Sequence, residues 1–303
     1  MSRSHRRSLA PYAFLAPAMV LFVAFLALPI GYAVYLSLRT VKVRGLGLGK
    51  GSREQVWAGL SNYSKALSDP DFAGSVLRVA AYGVIVVPIM LGLALLFALL
   101  LDSPRARVRR FSRLAIFLPY AVPAVISSLL WGFLYLPSVS PFHHVADRLG
   151  WDLPDVLSSG SVIFAVANIA VWGGVGFNMV VIFTALKAIP TEIYEAAELD
   201  GCGQFAIAWR IKIPVVMPSL IMTFVFSIIA TLQVFAEPVT LRPLTNTISS
   251  TWTPLMKVYR DAFTRDDIYS AAATSVILAV ATFVLSFGFL RLVQNRAFSQ
   301  ENR

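Results

Sequence analysis

Six stretches of this sequence run for more than twenty positions without a charged residue, and they constrain the fold more than any motif does. They lie between Arg7 and Arg39, Arg78 and Asp102, Arg113 and Asp147, Asp155 and Lys187, Lys212 and Glu237, and Asp267 and Arg291. Their lengths are 31, 23, 33, 31, 24 and 23 residues. A helix needs about 20 apolar residues to cross the hydrocarbon core of a bilayer. Every run is long enough, and the longer ones have residues to spare for interfacial turns. Strands of a transmembrane barrel would be roughly half as long and would alternate in polarity. Helical spans, which satisfy their own backbone inside lipid, are the reading left. Composition agrees: 14% of the 303 residues are charged and the mean hydropathy is +0.70. A soluble domain carries about 25% charged residues. The expected fold is an all-α membrane protein with six transmembrane helices.

The opening MSRSHRRSLAPYAFLAPAMV imitates a secretory signal, basic first and then apolar. Its apolar part exceeds the usual core of about 7–15 residues, and no small-x-small site closes it. It is expected to stay as the first helix, with Pro17 and Pro29 as points of bending.

Lys and Arg set the orientation. An even number of spans puts both termini on one side. With the N-terminus inside, inner segments hold 14 of the 26 basic residues. Density separates the sides better, since DSPRARVRRFSR packs five arginines into twelve residues. Both termini are therefore expected in the cytoplasm, at the cell membrane. The formal charge of +10 suits a chain facing anionic lipid. It does not point to nucleic acid, because no basic aromatic stretch lies outside the spans. The expected organisation is a cytoplasmic N-terminus and first helix over 1–38 and an outer loop over 39–70. A transport domain follows over 71–291, then a cytoplasmic tail over 292–303. A short helix is expected at Asn62 to Leu67 in the outer loop.

Between the fourth and fifth runs lies a charged, glycine-punctuated connection, EAAELDGCGQFAIAWRIKIP, from Glu195 to Pro214. Thr191 is a suitable N-cap for a helix over Glu192 to Asp200, whose early acidic residues complement its dipole. Gly201 suits the left-handed position that ends such a helix. A second short helix is expected from Gln204 to Ile211, stopped by Pro214. Two short helices meeting at a glycine make a stiff knob that can enter a pocket on a partner. Cys202, the one cysteine, has no partner for an internal disulfide and sits where thiols stay reduced.

Glu195, Ala196, Ala197, then Gly201, then Ile211, Ile213 and Pro214 stand at the spacing of the EAA loop, and the chain resembles the permeases of binding-protein-dependent ABC importers. Ile213 replaces the usual Leu, and Cys202 the usual Ala. The first helix and GLSNYSKAL are similar to the carbohydrate-importing branch, although VTLRPL stands where that branch often has T-G-G-P. The resemblance implies a type I importer fold with a cytoplasmic coupling loop over 187–214. It implies as partners a second homologous permease, two cytoplasmic ATPase subunits and an extracytoplasmic substrate-binding protein. Glu195, Ala196, Ala197, Asp200, Gly201, Ile211 and Pro214 are then the ATPase-coupling residues, with Glu195 facing a basic ATPase residue. ATP and magnesium belong to the partner ATPase, and this chain is expected to bind no cofactor.

Other motifs fail on their own terms. GLGLGKGS at 45–52 lacks the Ser or Thr after its lysine that a phosphate loop needs. His143 and His144 are adjacent, point apart and have no spaced carboxylate or thiol to complete a metal shell. No catalytic constellation is expected. Polar groups inside the spans are costly and tend to face a cavity or a partner helix. Asn168, Trp172 and Asn178 in the fourth run, and Ser227, Thr231 and Gln233 in the fifth, combine stacking surface with hydroxyls and amides. That is what a sugar requires; the same groups also serve as glue between helices. The function expected is the membrane path of an ATP-driven importer for an oligosaccharide or related polyol derivative. The alternative is a secondary transporter or channel needing no ATPase. Its cue would be an intramembrane charge or an inverted repeat, and neither is seen. A membrane-anchored sensor is disfavoured by the polar residues in the spans flanking the knob.

Overall fold

The uncharged runs are helical in the computed structural model, which describes residues 10–43, 53–103 and 108–301. The basic leader, the glycine-rich stretch 45–52, Arg105, Arg107 and the last two residues lie outside the described residues. Among the described residues, five helices are long and apolar enough to cross a bilayer: Tyr12–Ser37, Pro70–Asp102, Val162–Leu186, Gln204–Leu244 and Ile268–Arg291. The remaining run forms a bent pair, Arg109–Ala121 and Ala124–Tyr135. The chain divides into two units, residues 1–69 with 258–279 and residues 70–257 with 280–303.

In the first unit, α1 (Ala10–Phe22) and α2 (Leu28–Ser37) are joined by one widened turn, Val23–Ala27. Pro17 sits inside α1. Pro29 falls two residues past the widened turn, inside a backbone that stays helical throughout. Apolar side chains point out on every face, with Phe14 88% and Phe25 73% exposed. A helix apolar all round belongs in lipid. The all-helical class holds, with one short hairpin beside the helices. Strands β1 (Arg39–Val43) and β2 (Arg53–Trp57) pair antiparallel, with Arg39 opposite Trp57 and Val43 opposite Arg53. Thr40, Val41, Val56 and Trp57 are the branched and aromatic types that suit a pleated surface. Helix α3 (Ser61–Leu67) starts one residue before the expected Asn62. The Asn62 amide donates to the carbonyls of Ser37 at 2.8 Å and Arg39 at 2.6 Å, and the Tyr63 hydroxyl shares a 2.5 Å hydrogen bond with Ser37 Oγ. GLSNYSKAL thus pins the root of the hairpin to the end of α2.

The second unit is built on α4 (Pro70–Asp102). The third run, expected as one span, breaks into α5 (Arg109–Phe117), a tight turn over Leu118–Ala121, and α6 (Ala124–Tyr135), bent by 98°. Two prolines explain the break. Pro119 opens the tight turn, and Pro123 forces Val122 out of helical backbone, to φ −81° and ψ 126°. Then come α7 (Pro141–Arg148), α8 (Val162–Leu186), α9 (Thr191–Leu199), α10 (Gln204–Ile207) and α11 (Ile213–Leu232). The short α12 (Ala236–Leu241) and α13 (Pro254–Tyr259) lead to α14 (Ile268–Glu301).

Helices α4, α8 and α11 pack on one another. One apolar cluster gathers Val79, Val86, Val166 and Ile169; a second gathers Ala94, Ala98, Ile182, Leu186 and Val216. The broken third run lies against α8 at Gly176. A Cβ there would meet the Ile116 carbonyl oxygen and come within 2.7 Å of Phe117 Cα. Only glycine lets the two backbones approach this closely.

Candidate functional site: a coupling loop and a buried cavity

The connection between α8 and α11 follows its local grammar with two differences. Helix α9 begins at Thr191 itself, and Pro190 occupies the cap position without a side-chain cap. It ends in a Schellman closure: the Cys202 N–H donates to the Ala197 carbonyl at 2.9 Å and the Gly201 N–H to the Glu198 carbonyl at 3.0 Å. Gly201 takes φ +79°, the left-handed backbone this closure demands. The second short helix does not run to Ile211 and is not stopped by Pro214. Helix α10 ends at Ile207, and a π-turn over Ala208–Lys212 carries the chain into α11 without a break. The Ile213 N–H reaches back to the Ala208 carbonyl. Pro214 falls two residues past the π-turn, inside a helix that runs on through it, so the proline does not stop the helix.

Of the expected coupling residues, Glu195, Ala196, Asp200, Gly201 and Pro214 are exposed, Ile211 is half-buried and Ala197 is buried. Three large apolar side chains that sequence reasoning passed over stand out on the same knob. Leu199 is 89%, Phe205 83% and Trp209 66% exposed. Leu199 stands between the exposed acids Glu198 and Asp200, with Glu195 one turn earlier on α9. Apolar anchors ringed by charge are the usual anatomy of a protein docking surface. Their signal in the sequence was their position: apolar residues on both sides of a glycine in an otherwise charged connection.

Beneath the knob lies an ion cluster. Asp102, the last residue of α4, accepts a hydrogen bond from Lys187 Nζ on Oδ1 at 2.7 Å and from Lys212 Nζ on Oδ2 at 2.6 Å. The side chains of Asp102 and Lys212 are 4% and 7% exposed, and that of Lys187 is 48% exposed. Lys212 also lies over the ring of Tyr194 at 4.9 Å. The Tyr194 hydroxyl is enclosed without a partner. Burial first, and the charge of Asp102 second, push its pKa up to about 12. The three charges had marked the ends of the uncharged runs; their meeting joins positions 85 and 110 residues apart.

The second feature is a cavity of about 810 Å³. Tyr82 of α4, Asn178 of α8, Ser227 and Thr231 of α11, Gln233 just past it, and Glu237 of α12 contribute its polar lining. Tyr120 and Phe177 stack beside them with centroids 5.0 Å apart. Asn178 is 5% exposed. Its Nδ2 donates to the Gly174 carbonyl at 2.9 Å, which fixes the flip of the amide, and to Met90 Sδ at 3.2 Å. Oδ1 is left buried without a partner. Ser227 Oγ lies 3.9 Å from the same sulfur. Gln233 caps the end of α11 and is exposed.

The structure brings four of the six expected path residues to this cavity, Asn178, Ser227, Thr231 and Gln233. Asn168 and Trp172 are elsewhere. Asn168 Nδ2 donates to the Tyr135 hydroxyl at 2.9 Å, which donates in turn to the Ala165 carbonyl at 3.1 Å. Trp172 meets Trp131 edge-on at 5.9 Å. Both hold α8 against α6. Glu237 was missed because, as a charge, it had served only to end a run.

The comparisons with known proteins bear on both features. Residues 90–300 match the family described as binding-protein-dependent transport system inner membrane component. The sn-glycerol-3-phosphate transport system permease proteins UgpA of Salmonella typhimurium (strain LT2) and Escherichia coli O157:H7 are each 29% identical over 290 residues, covering 94% of both chains. The fold is also that of a chain in the crystal structure of a bacterial ABC transporter involved in the import of the acidic polysaccharide alginate. That chain is 19% identical, with a TM-score of 0.81 over 96% of each chain. A second structure of a bacterial alginate ABC transporter, with its periplasmic protein bound to an alginate pentasaccharide, gives a TM-score of 0.76 over 94% of this chain and 93% of that one. A multi-span helical chain that matches this family over more than two thirds of its length is a member of it: the protein belongs to the binding-protein-dependent transport system inner membrane components.

Proposed function

We propose that this chain is the permease subunit of an ATP-driven importer whose cargo is an uncharged carbohydrate, an oligosaccharide or a related polyol. One observation carries the choice of cargo. The cavity is lined by the hydroxyls of Tyr82, Ser227 and Thr231, the amides of Asn178 and Gln233, the carboxyl group of Glu237 and aromatic rings, and no basic side chain lines it among the described residues. Hydroxyls, amides and a carboxyl group suit a ligand that both donates and accepts, as sugar hydroxyls do, and ring faces suit the apolar side of a pyranose. A phosphate or a uronate would meet a carboxylate there and find no counter-charge. Glycerol phosphate and alginate are both polyhydroxylated, which supports the hydroxyl-rich reading of this cavity while leaving their charge to their own permeases.

In this reading a second permease completes the path, and two ATPases dock on the 187–214 knobs, where Glu195 meets a basic ATPase residue. A binding protein delivers the sugar from the far side. ATP and magnesium sit on the ATPases, and this chain performs no catalysis. Both termini and the knob face the cytoplasm. Cys202 reports on that: an impermeant maleimide should miss it in intact cells and reach it in inverted vesicles lacking the ATPase. Labelling of intact cells would reverse the orientation.

The cargo test uses the complete transporter in proteoliposomes with its binding protein. Neutral oligosaccharides and polyols are expected to enter with ATP and not without it, and uronate oligosaccharides and glycerol phosphate are expected to be refused. Uptake without ATP would overturn the importer, and equal uptake of the anions would overturn the uncharged cargo.

A further inference from the structure

Lys187 and Lys212 bound the segment that carries the knob, one at its entry from α8 and one at its exit into α11. Both ammonium groups reach a single carboxylate on a third helix, Asp102 of α4, and each takes its own oxygen. A carboxylate can hold both at once because each oxygen accepts independently. Neutralising a buried aspartate needs one lysine. The buried Lys212 alone does that, so the half-exposed Lys187 adds no neutralisation. What it adds is position: with it, the two ends of the loop are tied to the same point.

We propose that Asp102 is a positioning residue that clamps the entry and the exit of the 187–212 segment to the end of α4, so that knob, α4 and α11 respond to an ATPase as one body. The inference rests on the reading of this segment as the ATPase-docking loop. Three observations agree with it. The clamped helix is the one that brings Tyr82 and Met90 to the cavity, and α11 brings Ser227 and Thr231. Lys212 is held over Tyr194 of α9 as well, which ties the first knob helix to the same cluster. Apolar contacts of Ala94, Ala98, Leu101 and Val216 lie beneath. Such contacts hold surfaces together but carry no direction, so they allow sliding. Two ion pairs of defined geometry set the register that the apolar contacts leave free.

The test measures substrate imported per ATP hydrolysed by the complete transporter in proteoliposomes. Lys187→Met leaves Asp102 and Lys212 to neutralise each other, so the amount of assembled transporter should not change. Import per ATP should fall about fivefold or more, and Lys187→Arg, which keeps the cation, should restore it. Asp102→Asn, which releases both ends, should lower the ratio further. Unchanged import per ATP in Lys187→Met overturns the clamp, and that variant decides the matter even where Asp102→Asn does not assemble. Gly201→Val separates the two readings. If it uncouples the transporter while Lys187→Met does not, the clamp alone is wrong; if neither uncouples, the docking reading falls with it.

Discussion

Between residues 187 and 214 the chain closes its turns on partners a few positions away, Gly201 on Glu198 and Cys202 on Ala197. The cavity gathers Tyr82, Asn178, Ser227 and Glu237 from four helices. The loop is also crowded with charge and presents its large apolar residues outward, whereas the cavity holds one carboxylate and presents hydroxyls and amides. The difference teaches where each region is vulnerable. A change in the loop should cost stability or, in the proposed function, docking, since its groups are either committed to one another or exposed. In the proposed function, a change in the cavity should cost selectivity more than stability, since its polar groups would meet the ligand.

The sharpest test of this contrast is Asp102→Asn. It leaves the nearly buried Lys212 without a counter-ion, and breaking a buried pair costs about 3–5 kcal/mol. Thermal unfolding of the detergent-extracted complex should therefore shift strongly downward, and an unshifted transition would show that water reaches the cluster. Next in size is Phe205→Ser on the knob. An exposed anchor of this kind should weaken ATPase binding by about 2 kcal/mol, or about 30-fold in affinity. The unfolding of the chain itself should move by under about 0.5 kcal/mol. Equal affinity of mutant and parent, read by co-purification at graded ATPase concentrations, would remove the apolar anchor from the docking surface.

Gly201→Val should cost about 1–2 kcal/mol, because left-handed backbone is strained for any residue with a Cβ. No neighbouring atom lies within 4 Å of the new group, so the penalty is in the turn and not in packing. The chain should still insert, while substrate-stimulated ATP hydrolysis is lost; stimulation at the parental level would make Gly201 an ordinary loop residue. The smallest effect belongs to the cavity. Gln233→Leu should lower uptake about fivefold, the worth of one hydrogen bond of about 1 kcal/mol. Complex stability should hold, because the amide is exposed at the end of α11. Destabilisation with normal uptake would turn Gln233 into a helix-holding residue and erase the contrast.

The same difference explains what could be read before folding. The spans and the first knob helix were legible because their signals are local: a run without charge and a glycine after an acidic helix. The hairpin at 39–57 was not. Its alternation is short, and its strands are separated by a glycine-rich stretch that looks like linker. The break in the third span had a cue in Pro119 and Pro123, but a run of 33 uncharged residues outweighed it. Asn168 and Trp172 carried the right chemistry and fell on the face of α8 that meets α6, which periodicity alone does not assign. The meeting of Asp102 with Lys187 and Lys212 had no local trace at all, since two of the three belong to different helices and the third ends another.

The π-turn over Ala208–Lys212 sets the phase of everything downstream. Each residue of an α-helix adds 1.5 Å of rise and about 100° of rotation. The extra residue held in that turn therefore decides which side of α11 carries Ser227 and Thr231 inward. Deleting one residue between 208 and 212 would turn both hydroxyls about a quarter-circle away from the cavity while changing no cavity residue. The dial that aims the path is thus mounted at the knob, beginning three residues from the chain's exposed Phe205 anchor and a full helix away from the cavity it aims.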